Sequence, residues 1–196
     1  TFCLFLCCSA QIFAAPSLKN VITGIKEKAA LKNAQARLKI NQEHNNEALT
    51  KSEIKEYYSE GVKNIKAAIA PYGYFASSVK PSLSNKGEKW TATYKVDPGP
   101  KLKVTVSNIR ITGPGNSNKY MTEAFSKLPL KTGAVFSTHN YDKTKDLLID
   151  TAHAAGFIDA KYISDKITIN PAAYPCVVDL TLQTGKRYYF GNVTFS

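Results

Sequence analysis

Apolar side chains recur along this chain with two periods, one near 3.6 and one of 2, and the two alternate in blocks. Ile54, Tyr57, Tyr58, Val62, Ile65 and Ile69 follow at helical spacing, which predicts a helix with one buried face. Thr50-Lys51-Ser52-Glu53 precedes them with the hydroxyl and carboxylate of a capping box, which satisfies the free N–H groups of a first turn. Pro71 cannot continue that helix, and Gly73 readily takes the positive φ of a helix-ending turn. Trp90, Ala92, Tyr94 and Val96 then alternate with Thr91, Thr93 and Lys95, the period of a strand with one wet face. Asp97-Pro98-Gly99-Pro100 reads as a turn.

A second block follows the same order. Val104, Val106, Ile109 and Ile111 predict a strand, Gly113-Pro114-Gly115-Asn116 a turn, and Tyr120 and Phe125 lie in a short helix ended by Leu128 and Pro129. A longer helix is predicted over 140–155, with Tyr141, Leu148, Ala152 and Ala155 on one face, and strands over 160–169 and 176–183. Three landmarks repeat: Gly73 and Gly156, Gly99 and Gly185, and Asn108 and Asn192 are separated by 83, 86 and 84 residues. A fixed period of this kind marks tandem copies of one unit. The unit is β-α-α-β-β, an α+β fold. In the first copy the opening strand is placed at Val21–Ile25 and the first helix at 26–40. The expected organisation is a signal segment over 1–15, copies over 17–103 and 104–186, and the first strand of a third over 187–196.

The signal segment rests on Phe2, Leu4, Phe5, Leu6, Ile12 and Phe13, an uncharged apolar run followed by small residues, with processing expected between Ala10 and Pro16. A membrane anchor and a buried apolar N-terminus are the alternatives. The run lacks the Met and basic residue that open a complete signal, so the chain is expected to be cut at both ends. Cys3, Cys7 and Cys8 leave with that segment, and Cys176 then stands alone as a small apolar residue with no internal disulfide. The net charge of +11 is concentrated early: 19–103 holds sixteen basic against eight acidic residues, a surplus of eight. For an exported chain this suits anionic headgroups or an acidic protein partner better than nucleic acid, and a merely solvated surface equally well.

A β-α-α-β-β repeat of this size behind a signal resembles the polypeptide-transport-associated (POTRA) domains of outer-membrane assembly factors. The resemblance is carried by Pro71-Tyr72-Gly73-Tyr74-Phe75, by Val96-Asp97-Pro98-Gly99-Pro100, and by the run from Gly185 through Tyr188, Tyr189, Phe190 and Gly191 to Phe195, which look like the TamA-type branch of the BamA/TamA superfamily. It implies three-stranded sheets with two helices on one face, three such domains, and a sixteen-stranded outer-membrane barrel that these residues do not include. It also implies a place on the periplasmic face of the outer membrane, an inner-membrane-anchored TamB-type partner, segments of unfolded outer-membrane or secreted proteins as clients, and no cofactor. The exposed edge of such a sheet carries unpaired N–H and C=O groups that hydrogen-bond an incoming extended segment. In the family that edge is the second strand of each unit. Carried over, it is Ser78, Val79, Ser82 and Leu83 in the first copy and Tyr162, Ile163, Lys166 and Ile167 in the second. Gly73, Tyr74, Phe75, Gly99, Gly156, Phe157, Gly185 and Gly191 are read as motif positions, the glycines as backbone punctuation.

Candidate chemistry is sparse. His44, His139 and His153 lack zinc-ligand spacing, Gly185-Lys186 lacks the rest of a phosphate loop, and Pro114 has no N–H to offer a phosphate. Asp146, Asp150 and His153 read as a solvated helix face. Tyr57, Tyr58, Tyr188 and Tyr189 read as core or interface aromatics rather than base-stacking platforms. The expected protein is a non-enzymatic assembly scaffold that does not bind nucleic acid. The rivals are the same repeat feeding a two-partner secretion pore or a general barrel-assembly factor, and an exported enzyme or ligand-binding protein whose site lies elsewhere.

Overall fold

Residues 16–43, 49–170, 175–189 and 191 are described by the computed structural model. The expected signal segment over 1–15, and Phe190 and residues 192–196 of the expected third copy, lie outside them. The first copy runs β1 (Ser17–Thr23), α1 (Lys28–Glu43), α2 (Lys51–Ile69), β2 (Ser78–Lys86) and β3 (Lys89–Asp97). The second runs β4 (Val104–Thr112), α3 (Lys119–Ser126), α4 (Thr138–Ala154), β5 (Lys161–Ile169) and β6 (Cys176–Gln183). Both sheets have three strands in one order, β1-β3-β2 and β4-β6-β5. The outer first strand pairs parallel to the central last one in each.

Local chemistry explains the boundaries. At the start of α2 the Thr50 N–H donates to Glu53 Oε2 at 2.7 Å, and the Glu53 N–H donates to Thr50 Oγ1 at 3.2 Å, the reciprocal capping box. After Ile69 a single 3-10 turn over Ala70–Tyr72 takes Pro71 and closes on Gly73 at φ 98°. The Asn118 side chain caps α3 and the Ser137 side chain caps α4. β2 and β3 are joined by Gly87-Glu88 alone, which only antiparallel neighbours allow.

Two expectations need correction. The opening strand is Ser17–Thr23 and not Val21–Ile25, because Gly24 at φ 97° turns the chain out of the sheet and leaves Ile25 to be buried outside it. Helix α3 holds Tyr120 and Phe125 as expected, both exposed, with Met121 and Ala124 turned inward. Tyr189 is 76% exposed and lies 4.9 Å from the Arg187 guanidinium, so it stacks on a cation rather than in a core.

The chain forms two compact units. One holds the described residues up to Ile65 together with Val79–Asp97; the other holds Lys66–Ser78 and the described residues from Pro98 onward. In the first, Ala30, Ala34, Leu38, Ile54 and Ile65 from the helices and Ala92, Tyr94 and Val96 from β3 are buried. Tyr94 donates its hydroxyl to the Tyr58 carbonyl at 3.3 Å, and burial pushes its pKa up to about 12. The second core joins Val104 and Ile109 of β4, Met121, Leu148 and Ala152 of the helices, and Cys176, Val178, Leu180 and Leu182 of β6. Cys176 is buried there, and desolvation raises its thiol pKa. Among the described residues no helix is long and apolar enough to cross a membrane, and no cluster of His, Cys, Asp or Glu is arranged to hold a metal.

Candidate functional site

Strands β2 and β5 are edge strands, so each offers one row of backbone groups to solvent. Alternation decides which residues form that row. On β5 the Asn170 N–H donates toward β6, to the Pro175 carbonyl at 3.2 Å, so Thr168 and Lys166 turn their backbone to β6 as well. Asp165, Ile167 and Ile169 therefore turn theirs outward. On β2 the two-residue connection makes Lys86 a hydrogen-bonded neighbour of Lys89, which turns Ser84, Ser82, Lys80 and Ser78 inward. Pro81, with no N–H to give a partner strand, falls in the outward row with Val79 and Leu83, where a proline is tolerated.

The eight expected edge residues thus divide. Val79, Leu83 and Ile167 present backbone groups to the open side. Ser78, Ser82 and Lys166 spend theirs on the central strand. Tyr162 sits beside a β-bulge: the register passes from Tyr162↔Leu182 to Ser164↔Thr181, leaving Ile163 as the extra residue, 57% exposed. The four on β2 and the four on β5 belong to different sheets.

Two features interrupt these edges. Pro81 deletes a donor from the middle of the β2 row, and the bulge at Ile163 interrupts β5, both devices that discourage indiscriminate strand pairing. Asp165 reaches from β5 to α4, where it accepts from the Lys145 ammonium and the Tyr141 hydroxyl. The Lys145 hydrogen bond, and then that of Tyr141, hold its carboxyl below the usual range, while desolvation and this carboxylate push the Tyr141 hydroxyl up. Tyr162 donates to the Lys145 carbonyl at 2.8 Å, and burial pushes its pKa up in turn. These contacts fasten the edge strand to the helix behind it.

The motif glycines form a repeated joint inside the second unit. The Gly73 carbonyl accepts from the Leu102 N–H at 2.9 Å, and the Gly156 carbonyl from the Tyr188 N–H at 2.8 Å. Each acceptor ends a helix at positive φ, and each donor stands three residues after Gly99 or Gly185, at φ 66° and 67°. Phe157 is buried beside Gly156; Phe75 is 37% exposed, with its ring 5.9 Å from that of Phe136. Lys101 lies over Tyr74 at 5.1 Å, and Gly191 is exposed with open space around it.

A family model for the POTRA domain, TamA domain 1, matches residues 20–98. That match takes in the first copy and shows it to be similar to a TamA-type POTRA domain. Among solved structures it is similar to POTRA domains 3–5 of BamA from Haemophilus influenzae, at 18% identity and a TM-score of 0.33, covering 88% of this chain and 61% of that one. POTRA domains 1–3 of Omp85 from Anabaena match at 13% identity and a TM-score of 0.37, with 85% and 59% covered. CdiB from Escherichia coli matches at 13% and 0.34, with 88% and 28% covered. The chain therefore spans about three fifths of the first two and under a third of the last.

Proposed function

We propose that this POTRA region is a periplasmic scaffold of an outer-membrane protein translocation and assembly module, which holds extended segments of unfolded outer-membrane or secreted proteins by strand addition. One observation carries the reading: each sheet ends on a second strand whose outward row of backbone groups has no strand beside it among the described residues. A peptide that adds there gains main-chain hydrogen bonds whatever its sequence, while its alternate side chains read the half-buried positions beside Val79, Leu83 and Ile167. Pro81 and the bulge at Ile163 keep each row short, which suits transient holding better than permanent pairing. An inner-membrane-anchored, β-rich TamB-type partner would use the same backbone chemistry, and attachment to the outer membrane would come through a barrel.

The reading predicts that a peptide copied from a strand of an outer-membrane protein, titrated into the isotope-labelled chain, moves amide resonances over 78–86 and 161–169. Movements confined to the four helices would count against it.

A further inference from the structure

Strand β4 is also an edge, and a groove runs beside it. Thr112 turns its carbonyl to the central strand, accepting from the Thr184 N–H at 3.0 Å, so Arg110 and Asn108 face β6 and Ser107, Ile109 and Ile111 turn their backbone away from it. The first part of that outer side is already taken by the chain itself. The Val104 N–H donates to the Ala134 carbonyl and the Gly133 N–H to the Val104 carbonyl, both at 2.8 Å, and Lys103 bridges Val135 in antiparallel sense. From Ser107 onward no such segment lies alongside among the described residues.

Where the native pairing stops, two hollows of about 400 and about 270 Å³ continue along the edge, sharing Ile109 and the exposed Phe125 of α3. The side chains of Ser107, Ile109 and Ile111 lie on the helix side of the sheet, and the two isoleucines pack on or against the core. An extended segment hydrogen-bonded to this row would thus place every second side chain in the hollows. The charge around the groove has one sign. Arg110 is exposed, next to the open row, and has no ion-pair partner among the described residues; Lys131 lines the lower hollow. The single carboxylate on α3, Glu123, is held by Lys127 at 2.5 Å.

We propose that the β4 edge and α3 form a second strand-addition site, which takes an extended segment with small apolar side chains at alternate positions and an acidic residue on the other face, opposite Arg110. This rests on the reading that these sheets hold extended segments, but it names a different edge. It continues a pairing that residues 133–135 already make on the same strand.

The test uses a peptide of alternating valine and threonine with one central glutamate, titrated into the labelled full chain. Amide shifts at Ser107, Ile109 and Ile111 and side-chain shifts at Phe125 are expected. Phe125→Glu, a change at an exposed position, should weaken binding about tenfold. Replacing the peptide's glutamate with lysine should weaken binding to the natural chain and be rescued by Arg110→Glu. Shifts confined to β2 and β5 would overturn this site and leave the proposed function standing. Shifts at β4 alone would uphold this site, and no shift anywhere would overturn it.

Discussion

Gly24→Ala is expected to cost the first unit about 4 kcal/mol, a large share of the stability of a small domain, whose total is roughly 5–15 kcal/mol. Gly24 leaves β1 at φ 97°, a conformation that strains any residue with a Cβ. A Cβ there would stand 1.8 Å from the carbonyl oxygen of Val96, which is backbone of the central strand and cannot rotate aside. Relief requires β1 to move away from β3, and their parallel pairing from Ser17↔Lys89 to Thr23↔Lys95 is what holds β1 in place. Gly87→Ala is the matching control. It too has positive φ, 60°, but nothing lies within 4 Å, so only the backbone strain of about 1 kcal/mol should appear. Chemical denaturation of both variants, with amide exchange over β1 and β3, separates the close contact from the torsion angle.

The second large effect belongs to the repeated joint. A Cβ on Gly156 would lie 2.6 Å from the Tyr188 carbonyl oxygen, and one on Gly73 would lie 2.7 Å from that of Phe136, with φ at 90° and 98°. Gly156→Ala must therefore push away Tyr188, whose amide donates to the Gly156 carbonyl, and Gly73→Ala must push away Phe136, whose N–H donates to Leu102, the residue that donates to the Gly73 carbonyl. Gly156→Ala and Gly73→Ala should each destabilise the second unit by about 3 kcal/mol. The signature that distinguishes this from general loosening is local: the Tyr188 amide should lose exchange protection in the first variant and the Leu102 amide in the second. Equal loss across the sheet in both would mean that the joints are not separate features.

Both predictions bear on what was legible before the structure. The tandem architecture could be read because a positive-φ glycine after a helix leaves a residue type that alternatives cannot supply, and Gly73 and Gly156 both stand there. Strand β6 could be read to the residue, since Cys176, Val178, Leu180 and Leu182 alternate without a break. Strand β1 could not, because Asn20 sits on the face of Leu18 and Ile22 and hides the period, and parallel pairing to β3 supplies what local pattern lacks. One signal went unused: Ile22-Thr23-Gly24 and Ile111-Thr112-Gly113 close the first strand of each copy alike, and aligning them ends β1 at Thr23.

The edges were less legible than the elements. Which strand lies outermost came from a family resemblance, because no single strand's sequence states its neighbours. The bulge did leave a trace, since Tyr162 is out of phase with Ile167 and Ile169 although all three pack on the core. The hold of Asp165 on α4 left none, because Lys145 and Tyr141 lie 20 and 24 residues away and only the folded sheet brings them together.

Strand addition is most directly tested by amide exchange in the presence of a peptide copied from an outer-membrane protein strand, read residue by residue. The outward row should gain protection at Val79, Leu83, Asp165, Ile167 and Ile169, while Ser82 and Lys166, already bonded to the central strands, should not change. Unchanged exchange at the outward amides under saturating peptide, or protection gained only on the helices, would contradict the account.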